Sequence, residues 1–202
     1  MPRCGWDVDG IRTNPDKLRA ITELPVPRNV DDVRRFLGMV GYYRRFVEHF
    51  AHKAASLYEL LKVSSQCRWT TIEQEAFDAL RDALCREPIV LGSPDGARPF
   101  VLHTDASGVG LGAVLYQRDD QGDLRVVAYI SRRLNVHESN YTATELECLA
   151  IVWAVTEQFH AYLFQHPFEL ATDHSALLQL FRTTTPKSNG RLQQWVMRLQ
   201  HI

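Results

Sequence analysis

The sequence predicts an α/β protein, a mixed sheet flanked by helices and preceded by a small, mainly helical region. Three observations carry this reading. Before residue 95, apolar residues recur three or four apart, the spacing of a helix face. After the turn signal Pro94-Asp95-Gly96 they gather instead into short runs of strand length. These runs and one long apolar-periodic segment follow in the order β-β-β-α-β-α. The helix between the third and fourth strands is a crossover that lets the first and fourth strands lie side by side, parallel.

Residues 1–30 read as irregular, because Pro15, Pro25 and Pro27 interrupt any long helix. A short helix is expected over Pro15 to Thr22, with Asn14 as N-cap and Pro15 at its first position. Val33, Phe36, Leu37, Val40, Tyr43, Val47 and Phe50 form one helix face despite Gly38 and Gly41. A second helix is expected from Ala54 to Leu61. A third runs from Ile72 to Cys85, with Ala76, Phe77, Leu80, Ala83 and Leu84 inward and Pro88 beyond its end.

In the second half, strands are expected over Phe100 to Thr104, Gly110 to Tyr116 and Leu124 to Ile130. The last two are joined by the turn Asp119-Asp120-Gln121-Gly122-Asp123. A long helix begins near Thr142, where Thr142-Ala143-Thr144-Glu145 matches a capping box, and carries the stripe Leu146, Leu149, Ala150, Trp153 and Ala154. A strand over Phe168 to Thr172, a short helix from Ser175 to Phe181, a polar loop and a helix from Leu192 complete the chain. The boundary between the two halves lies near residue 95, with the sheet-bearing part over 96–202.

Bulk properties narrow the function. The chain has 202 residues, 45% of them hydrophobic and 23% charged, with a formal net charge of −1. That is ordinary globular composition, and it offers no global basic signal for nucleic acid. Cys4, Cys67, Cys85 and Cys148 are scattered without a CxxC pair, which argues against structural zinc and for reduced thiols. No apolar run has transmembrane length and the start does not read as a signal peptide. The expectation is an intracellular protein of cytoplasm or nucleus, not a secreted one.

Three acidic islands carry the chemistry: Thr104-Asp105-Ala106-Ser107, Thr144-Glu145-Leu146-Glu147 and Thr172-Asp173-His174-Ser175. Two aspartates stand at strand ends, and the glutamates stand in the first turns of a helix. Ligands in open α/β sheets bind beyond the carboxyl ends of strands. Carboxylates gathered there repel one another unless cations sit between them, an arrangement suited to two Mg²⁺ or Mn²⁺ ions and to phosphodiester cleavage.

Five ordered blocks closely resemble the ribonuclease H domain of gypsy-type LTR retrotransposon polyproteins. They are Thr104-Asp105-Ala106-Ser107; Gly110-Leu111-Gly112-Ala113-Val114-Leu115; Ala128-Tyr129-Ile130-Ser131-Arg132; Asn140-Tyr141 through Ala154; and Thr172-Asp173-His174. The first half resembles the preceding part of the same polyproteins, the reverse transcriptase thumb (1–62) and connection (63–95). Its matching blocks are Gly10-Ile11, Pro15-Asp16-Lys17, Phe36-Leu37-Gly38, Tyr42-Tyr43-Arg44-Arg45-Phe46 and Trp69-Thr70. The resemblance implies a ribonuclease H-like fold and metal-dependent endonucleolytic cleavage of RNA in an RNA/DNA hybrid. It implies Asp105, Glu147 and Asp173 as catalytic ligands of two Mg²⁺ (or Mn²⁺) ions, and other parts of the retroelement polyprotein as partners. No polymerase Asp-Asp motif is present, so DNA synthesis by this chain alone is not expected. The family's fourth aspartate, in an Ala-Asp-Ala-Leu-type segment, would lie beyond Ile202, so three of the four carboxylates and no fifth strand are expected. A catalytically inactive remnant that binds nucleic acid or protein is the alternative reading.

Each candidate also has a plainer role. Asp105 can be a turn former and Asp173 a helix N-cap. Glu145 and Glu147 compete, because residues two apart on a helix face different ways; capping is assigned to Glu145 and metal binding to Glu147. His174 and Ser107 are candidates for phosphate contact. Arg34, Arg35, Arg44 and Arg45, interleaved with aromatic residues, read either as a nucleic-acid contact or as a solvated helix paired with Asp31, Asp32 and Glu48. His49 and His52 read as solvated helix residues rather than a metal pair.

Overall fold

A computed structural model describes residues 5–7, 10–12, 19, 21–62, 68–85, 91–172, 174, 177 and 190–199. Two three-residue strands, β1 (Gly5–Asp7) and β2 (Gly10–Arg12), pair antiparallel in the region expected to be irregular. The helix expected over 15–22 is described only at Arg19, Ile21 and Thr22, which are helical; its N-cap lies outside the described residues.

The helical region opens with α1 (Val30–Tyr42), capped by Asn29, whose side chain accepts from the Asp32 amide. The sequence predicts one helix face as far as Phe50, and the apolar residues of that face are indeed buried. The backbone, however, is not one helix. It stops at Tyr42, makes a 3₁₀ turn over Arg44–Phe46, and restarts at α2 (Phe50–Lys53) after His49, which has φ 51°. Burial fixes which side chains point inward; it does not require an unbroken hydrogen-bond ladder between them. α3 (Ala55–Glu59) and α4 (Thr71–Cys85) follow. Phe36 and Phe77 meet at the centre with ring centroids 4.5 Å apart, and Leu57, Leu80 and Leu91 are fully buried around them.

The main sheet contains β3 (Phe100–Ala106), β4 (Gly110–Arg118), β5 (Leu124–Arg133) and β6 (Phe168–Ala171). Its spatial order is β5-β4-β3-β6, antiparallel except for the parallel β3–β6 pair. The β4–β5 turn is closed by Asp119 Oδ1, which accepts from the amides of Gln121 and Asp123, with Gly122 at φ 88°. Between β5 and β6 lie a 3₁₀ turn (Glu138–Asn140), α5 (Ala143–Trp153), a π-helical turn (Ala154–Gln158) and α6 (His160–Leu163). α7 spans Gly190–Leu199, and the helix expected over 175–181 is described only at Leu177, which is helical.

Strand alternation separates two cores. Phe100 and Leu102 of β3, Ala113 and Leu115 of β4 and Val127 of β5 pack against Cys148, Ile151 and Val152 of α5 and Leu192 and Val196 of α7. Burial in this core pushes the free Cys148 thiol pKa up to about 12. The helical region packs instead against Val126 and Tyr129 of β5. It is pinned there by a hydrogen bond from the Ala51 amide to Ser131 Oγ, 3.0 Å, and by an ion pair between Glu59 and Arg133.

Two predictions follow from this packing. Leu102→Ala, at a fully buried position between sheet and α5, lowers the unfolding free energy by about 2–5 kcal/mol in urea titration. Arg132 grips Glu138 with bonds of 2.7 and 2.9 Å, and this holds the Glu138 carboxyl below its ordinary value near 4.5. A depressed carboxylate stabilises the fold above its unfolded pKa and loses that contribution as pH falls through the folded one. Arg132→Met therefore costs about 2 kcal/mol at pH 7, and the gap from the native protein narrows as unfolding is measured at successively lower pH below about 4.5.

Candidate active site

β3 delivers the first carboxylate. Thr104 is buried on the helix-covered face, and its Oγ1 has no hydrogen-bond partner among the described residues. Asp105, one residue on, points the other way with its side chain 63% exposed. α5 delivers the second. Glu147 is half-buried, and its Oε1 accepts from the amide of Ala106, 3.3 Å, immediately after Asp105.

Glu145 is occupied elsewhere. Its carboxylate accepts from the Thr142 amide at 2.9 Å while Thr142 Oγ1 accepts from the Glu145 amide, completing the capping box. Its other oxygen pairs with Arg191 of α7, 2.9 Å, whose guanidinium lies over the Tyr141 ring. With a relative exposure of 7%, Glu145 is a structural brace between α5 and α7.

Asp173 lies outside the described residues. Its neighbours are described: Thr172 lines a cleft of about 510 Å³ together with Asp105, His103 and Tyr116, and His174 Nε2 is 2.9 Å from Thr144 Oγ1 in the first turn of α5. His174, shortly after β6, is thus tied to the helix that bears Glu147. Ser107 Oγ is engaged within the β3–β4 turn, where it accepts from the Gly110 amide at 3.2 Å.

The expected arginines sit apart from this cleft. Arg34 pairs with Asp31 at 2.5 Å and Arg35 with Asp32 at 3.6 Å, as the solvated-helix alternative has it. Arg44 and Arg45 are exposed, with Arg45 5.5 Å from the Phe46 ring centre. Glu48 lies 3.5 Å from His49.

The helical region does reach the site, through a residue that sequence reasoning set aside. His49 Nδ1 is 3.6 Å from Asp105 Oδ2. The ring lies over Gly112, where an added Cβ would stand 3.1 Å from Nδ1. The left-handed backbone at His49 costs on the order of 1–3 kcal/mol, a strain that persists only where surrounding structure imposes it. His49 and Asp105 are 56 positions apart with a domain's worth of chain between them, so no local spacing could announce the contact.

A profile of the RNase H-like domain found in reverse transcriptase matches residues 95–202. The chain belongs to this family. It is 42% identical over 192 residues to the retrovirus-related Pol polyprotein from transposon 297 of Drosophila melanogaster, covering 95% of this chain and 17% of that protein. It is 40% identical over 204 residues to the Pol polyprotein from transposon opus of the same organism, covering 95% and 20%. The chain therefore spans about a fifth or less of these curated relatives. In fold it is similar to a foamy viral protease-reverse transcriptase solved in complex with an RNA/DNA hybrid, with a TM-score of 0.73 at 20% identity, over 99% of this chain and 28% of that one.

Members of this RNase H-like family use divalent metal ions, and the carboxylates here have suitable chemistry. Carboxylate oxygens are the hard donors that Mg²⁺ and Mn²⁺ select, and Asp105 is open to solution. Among the described residues no group of three or more His, Cys, Asp or Glu is placed to hold an ion. Among the same residues, no helix is long and apolar enough to cross a membrane.

The two glutamates make a paired prediction. Glu145→Ala, which removes both the capping bond and the Arg191 pair, lowers stability by about 2 kcal/mol in chemical unfolding. Glu147→Gln keeps an oxygen acceptor for the Ala106 amide and leaves the unfolding midpoint within about 0.5 kcal/mol of native. The reverse order would overturn the division of roles.

Proposed function

We propose that the chain is a retroelement ribonuclease H, hydrolysing the RNA strand of an RNA/DNA hybrid endonucleolytically. The observation that carries this is the meeting of Glu147 with the end of β3, where its Oε1 accepts from the amide of Ala106, one residue beyond the exposed Asp105. Asp105, Glu147 and Asp173 would hold two Mg²⁺ or Mn²⁺ ions and are the catalytic residues of this reading. Bound there, the ions supply Lewis acidity, acidifying a water and offsetting charge on the departing 3′-oxygen.

The remaining work belongs to the chain. The amide of Ala106 and the capped α5 fix Glu147 against the strand end, so that its carboxylate is oriented before substrate arrives. In the hydrolysis a water oxygen bonds to phosphorus, the P–O3′ bond breaks, and the 3′-oxygen takes up a proton. The products are a 5′-phosphate and a 3′-hydroxyl. Preference for RNA requires contacts to 2′-hydroxyls. Ser107 and His174 are assigned to the backbone beside the site, and Arg34, Arg35, Arg44 and Arg45 to phosphates further along the duplex.

The same reading assigns the chain to the gypsy-type branch, with residues 1–62 as thumb-like, 63–95 as connection and 96–202 as the ribonuclease H-like part. The 42% and 40% identities to transposon Pol polyproteins support its retroelement part. The hybrid named for the foamy viral neighbour supports the substrate class. The other regions of such a polyprotein are its proposed partners, within the cell.

A labelled RNA/DNA hybrid incubated with the protein and Mg²⁺ or Mn²⁺ tests the proposal. The native chain is expected to cut the RNA strand, with Asp105→Asn reducing the rate at least a hundredfold. Cleavage that survives Asp105→Asn would overturn the site. Hybrid binding by folded protein with no cleavage under either metal would make the chain an inactive binding remnant.

A further inference from the structure

A second cleft adjoins the first. It has a volume of about 380 Å³ and is walled on one side by His49, His52 and Lys53 of the helical region and on the other by Asp105, Gly112 and Ser131 of the sheet. We propose that Lys53, with His49 and His52 beside it, forms a phosphate subsite that holds a backbone phosphate of the nucleic-acid strand lying in the carboxylate site. This deepens, and rests on, the reading of the chain as a hybrid-binding nuclease.

The argument begins with placement. Lys53 ends α2, and its Nζ donates to Glu48 O at 2.6 Å, which uses one of the three donors of an ammonium. That bond folds the side chain back into the cleft wall, where it is half-buried rather than extended into solvent. The wall itself is fixed: the Ala51 amide is bonded to Ser131 Oγ, and the left-handed His49 fits against Gly112. A cation held on a fixed wall opposite a carboxylate is arranged for a ligand that meets both.

Spacing identifies the ligand. A volume of 380 Å³ is roughly 7 Å across, room for about one further phosphate of a strand whose charges recur every ~3.4 Å of helix axis as it winds. Because Asp105 and Lys53 line the same cleft, a phosphate next along the strand from one at Asp105 comes to Lys53. Carboxylates repel a polyanion before metal arrives, so a cation adjoining them gives the backbone a place to enter. His52 adds a ring N–H donor at the rim, while the two ring nitrogens of His49 face the carboxylates of Glu48 and Asp105.

The test reads binding, so that its failure is separate from failure of the nuclease reading. Affinity for an RNA/DNA hybrid is measured in Ca²⁺ for the native chain, Lys53→Gln and Lys53→Arg, across a series of salt concentrations. Lys53→Gln is expected to weaken binding five- to tenfold and to reduce the slope of log K against log [salt] by about 0.9, the value for one lost phosphate contact. Lys53→Arg is expected to restore both. In parallel, single neutral methylphosphonates are scanned along the RNA strand. One position should weaken the native chain by the same factor and leave Lys53→Gln unaffected.

A purely structural Lys53 would lower the unfolding midpoint without changing the salt slope. Folded Lys53→Gln with a native slope would overturn the subsite, as would a methylphosphonate scan in which the variant is as sensitive as the native chain at every position. Should Lys53→Gln not fold, the native chain's scan decides alone: no single sensitive position refutes the proposal. The pattern appearing without any cleavage in Mg²⁺ would keep the subsite and remove the nuclease.

Discussion

The parallel pairing of β3 with β6 is the constraint on which the rest of the structure depends. Two parallel neighbours cannot be joined by a tight turn, so the chain must leave the sheet and return, and it does so through α5 and the helical turns after it. The crossover sets α5 over β3 with its first turns at the strand's carboxyl end. Asp105 and Glu147 are 42 residues apart, and the crossover brings the Glu147 carboxylate to the Ala106 amide, one residue beyond Asp105. The β3–β4 pairing then supplies the opposite wall, with Gly112 directly across from Asp105. Gly112 keeps that wall low enough for a foreign side chain to approach.

Within α5, two carboxylates two residues apart do different things for a geometric reason. Glu145 looks back along the helix to its own N-cap and outward to α7, and it is buried. Glu147 is turned by about 200° relative to it, since each residue advances roughly 100°, and so faces the end of β3. A swap of roles would leave the helix uncapped and Arg191 without its carboxylate. The capping interaction thus sets the helix start, and the helix start sets where Glu147 stands.

Much of this was legible in the sequence. Threefold and fourfold spacing located α1 and α4, and short apolar runs located β3 to β6 to within a few residues. The β-β-β-α-β-α order gave the parallel pair, and Thr142 to Glu145 gave the cap. What could not be read were features without a local signature. The break at His49 leaves the inward pattern of Val47 and Phe50 intact, so periodicity passes over it. The short β1–β2 pair lies among prolines that argue for irregularity. The approach of His49 to Asp105 joins the helical region to the sheet, and it depends on how two separately formed cores dock.

That docking bears directly on electrostatics. The chain is nearly neutral overall, and Arg34 and Arg35 are already paired with Asp31 and Asp32, so their contribution to a distant phosphate is muted. A site built from carboxylates adds further repulsion toward a polyanion. Beyond what Arg44 and Arg45 supply at a distance, attraction at the site itself comes from cations beside it, where their short range in salt does not matter. The helical region brings Lys53 to that place, and it can do so accurately because Ser131 and Arg133 of β5 hold its backbone and its Glu59 to the sheet. Loosening those two anchors would let cation and carboxylate move apart. On the proposed reading, the junction between the cores is part of the binding surface as well as a packing contact.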